Sequence, residues 1–295
     1  MPRIYKSSAG ERLVKERYRA FLQRWPAAHQ QLRVLTGQGE TFVVASGAEG
    51  ASPLVLLHGG AANSAMWMGN IGALARHFRV YAVDLIGEPG LSAASRPPLA
   101  SDAHALWLDD VLAALSIDRA CFAGVSLGGW LALDYATRRP ERVERLALLC
   151  PGGVGRQKVG IVFATIFLKM CGAWGKRKLL ELILGRPPAD PAPAAKAFID
   201  FVLLIHRHFR PRMVKLPIFS DEALRRLNMP LLAVVGGRDV LLDSAETRCR
   251  LERNAPQAEV VYLAGPGHLL PDQTRQILAF LAPGLKGAGF ATNNR

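Results

Sequence analysis

The segment Gly124-Val125-Ser126-Leu127-Gly128 places a serine between two glycines, after an apolar run that reads as a strand and before a helical pattern. A serine raised on a sharp strand-to-helix turn is a nucleophile position, because the turn strains the backbone and the small flanking residues let neighbouring segments approach. The turn also leaves the Leu127 N–H free at the helix start, where it can face developing negative charge. A serine hydroxyl needs a base. His268, in Ala264-Gly265-Pro266-Gly267-His268, follows the last strand-like run, and its Gly/Pro loop sets an imidazole at a strand's carboxyl end. The acid that orients this base is expected after a strand lying between the two. Val234-Val235-Gly236-Gly237-Arg238-Asp239 offers Asp239, whose carboxylate would accept the imidazole Nδ1–H and stabilise the imidazolium. Asp243 competes in the same loop, but Leu242-Asp243-Ser244 reads more simply as a helix N-cap. The order Ser126, Asp239, His268 gives a nucleophile, an acid and a base for acyl chemistry.

A second donor for an oxyanion is expected in His58-Gly59-Gly60-Ala61-Ala62-Asn63-Ser64, where missing side chains let the backbone approach a substrate carbonyl. Gly60 is favoured over Ala61, and His58 is read as holding the loop. His77 and His104 fall in helical patterns and read as structural or exposed, whereas His206 and His208 lie where they could line a pocket. HExxH, paired CxxC and Gly-Lys-Ser/Thr phosphate loops are absent, so neither a metal nor a nucleotide is expected. The four cysteines have no ligand spacing and read as buried thiols in a reducing cytoplasm.

These residues need a framework to position them. Runs at 32–35 and 41–45 read as an opening strand pair about the turn Thr36-Gly37-Gln38-Gly39. Further strands are predicted at 54–57, 80–83, 120–125, 146–149, 231–235 and 260–263. Helical patterns lie between them, through residue 75, over 100–115 and over 129–138. Such alternation predicts a mostly parallel, doubly wound α/β sheet with its functional groups at the carboxyl ends of the strands. Residues 152–228 interrupt the alternation with a helical, basic stretch too long for a plain loop, and are expected to form a structured lid. The core would then comprise 32–151 and 229–295.

The net charge of +13 is uneven: residues 1–31 hold seven Lys/Arg against two Asp/Glu, and residues 155–228 hold fourteen against five. Residues 8–25 read as an amphipathic helix with Val14, Tyr18, Phe21 and Trp25 on one face, ended by Pro26. This arm, residues 1–31, would pack on the protein's own body or on a second subunit, or lie on an anionic membrane, the last being less favoured. Glu11 and Glu16 argue against a presequence, and the N-terminus lacks the apolar run of a secretory signal. The best apolar stretch, 159–168, is far short of the roughly 18 residues of a spanning helix. The basic segment carries no nucleic-acid module, so a small acyl substrate, anionic if it engages the basic lid, is the expected partner.

Together, His58-Gly59-Gly60, Asp84-Leu85-Ile86-Gly87-Glu88-Pro89-Gly90-Leu91-Ser92 and the segments 124–128, 236–239 and 265–268 resemble the α/β-hydrolase superfamily. The resemblance is strongest to its lid-bearing, carboxylesterase-like branch. It implies a Ser–His–Asp triad, no cofactor and an acyl-enzyme. A serine at 126 departs from haloalkane dehalogenases and epoxide hydrolases, which carry aspartate there. Esterases, thioesterases, carbon–carbon bond hydrolases, perhydrolases and acyltransferases share these motifs, and a silent binding protein on the same fold is the remaining alternative. Where many relatives have a Gly-His-Gly turn after Asp84, this chain has Gly87-Glu88-Pro89-Gly90, read as structural with Glu88 near the pocket mouth.

Overall fold

A computed structural model describes residues 3–158, 160, 168, 170–185 and 190–284. Among these residues eight strands form one sheet in the order β1-β2-β4-β3-β5-β6-β7-β8. They are β1 (His29–Thr36), β2 (Gly39–Ser46), β3 (Pro53–Leu57), β4 (Arg79–Val83), β5 (Ala120–Val125), β6 (Val143–Leu149), β7 (Leu231–Gly236) and β8 (Ala258–Leu263). The pairs β1–β2 and β2–β4 are antiparallel and the rest parallel.

β3 shows why the central strands are apolar throughout. Side chains alternate across a sheet, so Val55 and Leu57 enter one core cluster while Leu54 and Leu56 enter the other. The first cluster takes helices α3 (Ala103–Ala114) and α4 (Leu127–Arg138) through Trp107, Leu108 and Leu131. The second takes α1 (Ser8–Leu22) and α2 (Met68–Leu74) through Tyr18 and Ile71. Both faces are thus covered, as a parallel sheet requires.

Between β6 and β7 lie α5 (Gly172–Leu184), α6 (Pro193–His208) and the short α7 (Asp221–Arg225). α8 (Ser244–Asn254) and α9 (Thr274–Leu281) follow β7 and β8. No helix among the described residues is long and apolar enough to cross a membrane. The apolar stretch 159–168 lies almost wholly outside them.

The N-terminal helix packs on the protein's own body. Val14, Tyr18 and Leu22 are buried, Tyr18 stacks on Phe201 of α6 with ring centroids 6.4 Å apart, and Phe21 meets Phe198 and Phe201. Ahead of it, Lys6 N donates to the His208 carbonyl and Arg210 N to the Ile4 carbonyl, both at 2.8 Å. The helix stops at Leu22, three residues before the end of the apolar pattern. Trp25 is buried beyond the last turn, its indole N–H donating to Ser46 Oγ at 3.0 Å.

Two expectations need correction. Only Cys121 and Cys150 are buried, whereas Cys171, just ahead of α5, and Cys249, on α8, are exposed. His206 and His208 meet the N-terminal arm: Lys6 Nζ donates to the His206 carbonyl, and a side chain on Gly10 would strike the His208 ring at 2.5 Å. His104 is buried against Trp130 and held to about 4 by burial and by Arg212, while His77 is exposed after α2.

Candidate active site

Ser126 joins β5 to α4 with φ +52° and ψ −106°, a conformation that side-chain-bearing residues avoid. The surroundings force it. A Cβ on Gly124 would lie 2.5 Å from the Gly128 carbonyl oxygen, and one on Gly128 would overlap the Leu57 carbonyl oxygen. Both glycines are therefore demanded by backbone packing, and they hold the serine out at the head of α4. Ser126 N donates to the Leu149 carbonyl at 2.9 Å, and its own carbonyl accepts from Trp130 and Gly152. α4 begins at Leu127, earlier than its pattern suggests, so the Leu127 N–H is one of the donors at a helix start that have no acceptor within the helix.

The three residues singled out by sequence are together. His268 Nε2 lies 3.0 Å from Ser126 Oγ, and His268 Nδ1 lies 2.7 Å from Asp239 Oδ2. Asp239 Oδ1 accepts from the N–H groups of Leu241 and Leu242 at 2.7 and 3.1 Å. Burial pushes the Asp239 pKa up, but the bond from His268, its charge and the two backbone donors outweigh that and hold it below the ordinary carboxylate value. An ionised Asp239 fixes the proton on His268 Nδ1 and leaves Nε2 as the acceptor for the serine proton. The two loops that present these groups are tied together. Arg238 N donates to the Pro266 carbonyl at 2.9 Å, and a Cβ on Gly236 would overlap the Gly267 carbonyl oxygen. Asp243 caps α8, its carboxylate accepting from Glu246 N at 2.9 Å, as its sequence context indicated.

Beside Ser126 runs the loop after β3. His58 accepts from Leu85 N at Nε2 (2.9 Å), which puts its proton on Nδ1 toward the Gly59 carbonyl. Burial holds its pKa down, so His58 is a neutral brace. Gly60 approaches Leu127 closely: a Cβ there would meet the Leu127 side chain at 3.7 Å. The Ala61 N–H is already committed to Glu88 Oε2 at 2.6 Å, which leaves Gly60 the better second donor.

Two residues near the site have surroundings that sequence reasoning missed. The Cys150 thiol, just past β6, lies within 4.8 Å of the Asp239 and His268 ligand atoms. Burial and the Asp239 charge push its pKa up to about 12, so it stays protonated. That protonation, with Asp239 and His268 already bonded to each other, makes these three a poor metal set. Glu88 is 2% exposed and accepts from the Ala61 N–H. No local pattern distinguishes it from a turn residue, because the burial comes from distant segments.

Comparison with known proteins bears on the family of the chain. Residues 52–168 match the family model described as the alpha/beta hydrolase fold. The carboxylesterase YbfK of Bacillus subtilis is 31% identical over 282 residues, covering 91% of this chain and 93% of that one. The uncharacterized carboxylesterase nap of the same organism is 31% identical over 260 residues, covering 86% and 85%. Among solved structures, carboxylesterase CesB (YbfK) superposes with a TM-score of 0.79 at 28% identity, covering 94% of this chain and 99% of that one. The B. subtilis naproxen esterase superposes at 0.76 and 27%, covering 95% and 96%. With a relative shared over nearly the full length of both chains, and a strained serine at the head of the helix after β5, this protein belongs to the α/β-hydrolase family.

Proposed function

We propose that the protein is a carboxylesterase working through Ser126, His268 and Asp239 and an acyl-enzyme. The observation that carries this is the hydrogen-bonded chain from Asp239 through His268 to Ser126, at 2.7 and 3.0 Å, ending on a serine with forced backbone geometry. His268 Nε2 takes the Ser126 hydroxyl proton as Oγ attacks the ester carbonyl carbon. The carbonyl oxygen becomes an oxyanion between the N–H groups of Gly60 and Leu127. His268 gives the proton to the leaving alcohol oxygen as the C–O bond breaks. Water then repeats the attack on the acyl-serine, with His268 as base, and the carboxylic acid leaves. The full-length likeness to proteins described as carboxylesterases supports esters over the carbon–carbon bond and acyl-transfer alternatives.

We take residues 152–228 as the lid over this site; a Cβ on Gly152 would overlap Leu216, which supports close cover there. The cation excess of residues 155–228, fourteen Lys/Arg against five Asp/Glu, supports small anionic acyl esters as substrates. Their kcat/KM should fall several-fold from low to high salt while that of neutral esters holds. The function itself is tested with p-nitrophenyl esters and a fluorophosphonate probe. The wild type should turn over and be labelled at position 126, and Ser126→Ala should do neither; full activity in that variant would refute the assignment.

A further inference from the structure

We propose that Glu88 is a positioning residue for the oxyanion loop, holding the Ala61 turn in place so that the neighbouring Gly60 N–H points at the developing oxyanion. The inference rests on the esterase reading. Ala61 has φ +53°, the left-handed region that residues with a Cβ enter at a cost, so something must hold it there. Two bonds from one short segment do so. Ala61 N donates to Glu88 Oε2 at 2.6 Å, and Asn63 Nδ2 donates to the Pro89 carbonyl at 2.9 Å. The holding segment is braced in turn. Gly87, at φ +73°, donates its N–H to the Ala93 carbonyl and accepts from Arg96 Nε at 2.9 Å.

The charge of Glu88 is in play at neutrality. Burial pushes its pKa up, the Ala61 N–H and the charges of Arg96 and Arg212 pull it down, and the balance lies at about 7. Arg96 comes from the loop after β4, where its other end donates to the Arg210 carbonyl, and Arg212 donates to the Pro97 carbonyl at 3.1 Å. Tyr5 of the N-terminal segment also senses Glu88, and it is held neutral by burial. On the remaining side, Asp84 is bonded to Tyr18, Ser64 and Leu91, and neutral His104 sits next to Arg212. The ionised carboxylate is the stronger acceptor for the Ala61 N–H. The loop is therefore held best above about 7 and loosens as pH falls through that value.

The test uses the full chain, following p-nitrophenyl ester hydrolysis and the rate of fluorophosphonate labelling from pH 5 to 9. Glu88→Ala should lower kcat and the labelling rate about 10- to 100-fold with KM changed less than about threefold, since the loop is displaced and the pocket is not. Glu88→Gln keeps an acceptor but cannot ionise. It mimics the protonated carboxyl, so at pH 8 its kcat should lie between those of Glu88→Ala and wild type, and its acid limb should lose one ionisation and become shallower than that of the wild type. A Glu88→Ala rate within twofold of wild type, or a Glu88→Gln profile that superimposes on wild type after scaling, overturns the proposal. If Glu88→Ala fails to fold, the Glu88→Gln profile decides alone. A wild type that neither labels nor hydrolyses overturns the esterase reading and this one with it; a wild type that does both, beside unaffected variants, overturns only this one.

Discussion

The Tyr18 hydroxyl donates to Asp84 Oδ1 at 2.8 Å, joining the N-terminal helix to the buried carboxylate that also anchors both loops flanking Glu88. Asp84 accepts from Ser64 N and Oγ on one side and from Leu91 N on the other, so it fixes the start of the segment after β4 and the end of the oxyanion loop. The basic helix is thereby part of the structure of the site. Tyr18→Phe should lower the thermal midpoint by several degrees, since a hydrogen bond to a buried charge is worth about 1.5–3 kcal/mol. Circular dichroism melts would show it, and an unchanged midpoint would mean the arm is not coupled to Asp84.

Asp239→Asn should preserve the fold and still remove most of the activity. The amide oxygen still accepts from Leu241 and Leu242, but its NH2 turns toward His268 and forces the proton onto Nε2, facing Ser126. The base then has no free lone pair, and the expected loss in kcat is about 10⁴-fold, as in other triads. Ester kinetics beside an unchanged near-UV spectrum would check it.

The motif glycines divide by what surrounds them. Gly128→Ala should abolish soluble expression or activity, because the new Cβ overlaps the Leu57 carbonyl oxygen on a rigid strand. Gly60→Ala meets only Leu127, at 3.7 Å and beyond, so it should fold with a thermal midpoint within a few degrees of wild type. Similar behaviour of the two variants would show that the elbow is looser than its geometry indicates.

What was legible in the sequence follows from the same physics. β5 was placed at both ends because a continuous apolar run meets a glycine-flanked turn there, and the Asp239 and His268 loops were found because Gly-rich strand ends have few other uses. The start of α4 was misjudged by two residues. Gly128 and Gly129 look like helix breakers, yet they are needed inside the first turn, where Pro151 packs at 3.1 Å from a Cβ on Gly129. The closeness of Cys150 to Asp239 and His268, and the bond from the Ala61 N–H to Glu88, were not legible because each joins segments more than twenty residues apart. Burial of a charged or nucleophilic group is a tertiary fact that a local window does not contain.

Glu88 should also leave a mark on stability, of sign opposite to that of most carboxylates. Its folded pKa, about 7, lies above the ordinary value of 4.5, so the folded protein keeps a proton that the unfolded chain has released. The unfolded state therefore binds fewer protons between those values, and stability falls as pH rises through the window. The full difference corresponds to roughly 3 kcal/mol. Glu88→Gln mimics the protonated form. Its melting temperature should match wild type near pH 4.5 and exceed it by several degrees at pH 8, although the same variant has lost the charge that holds the oxyanion loop. Melts at both pH values decide it: a gain absent at pH 8 would show that Glu88 ionises in the folded protein without cost, and a gain equally large at pH 4.5 would show that it does not come from the ionisation.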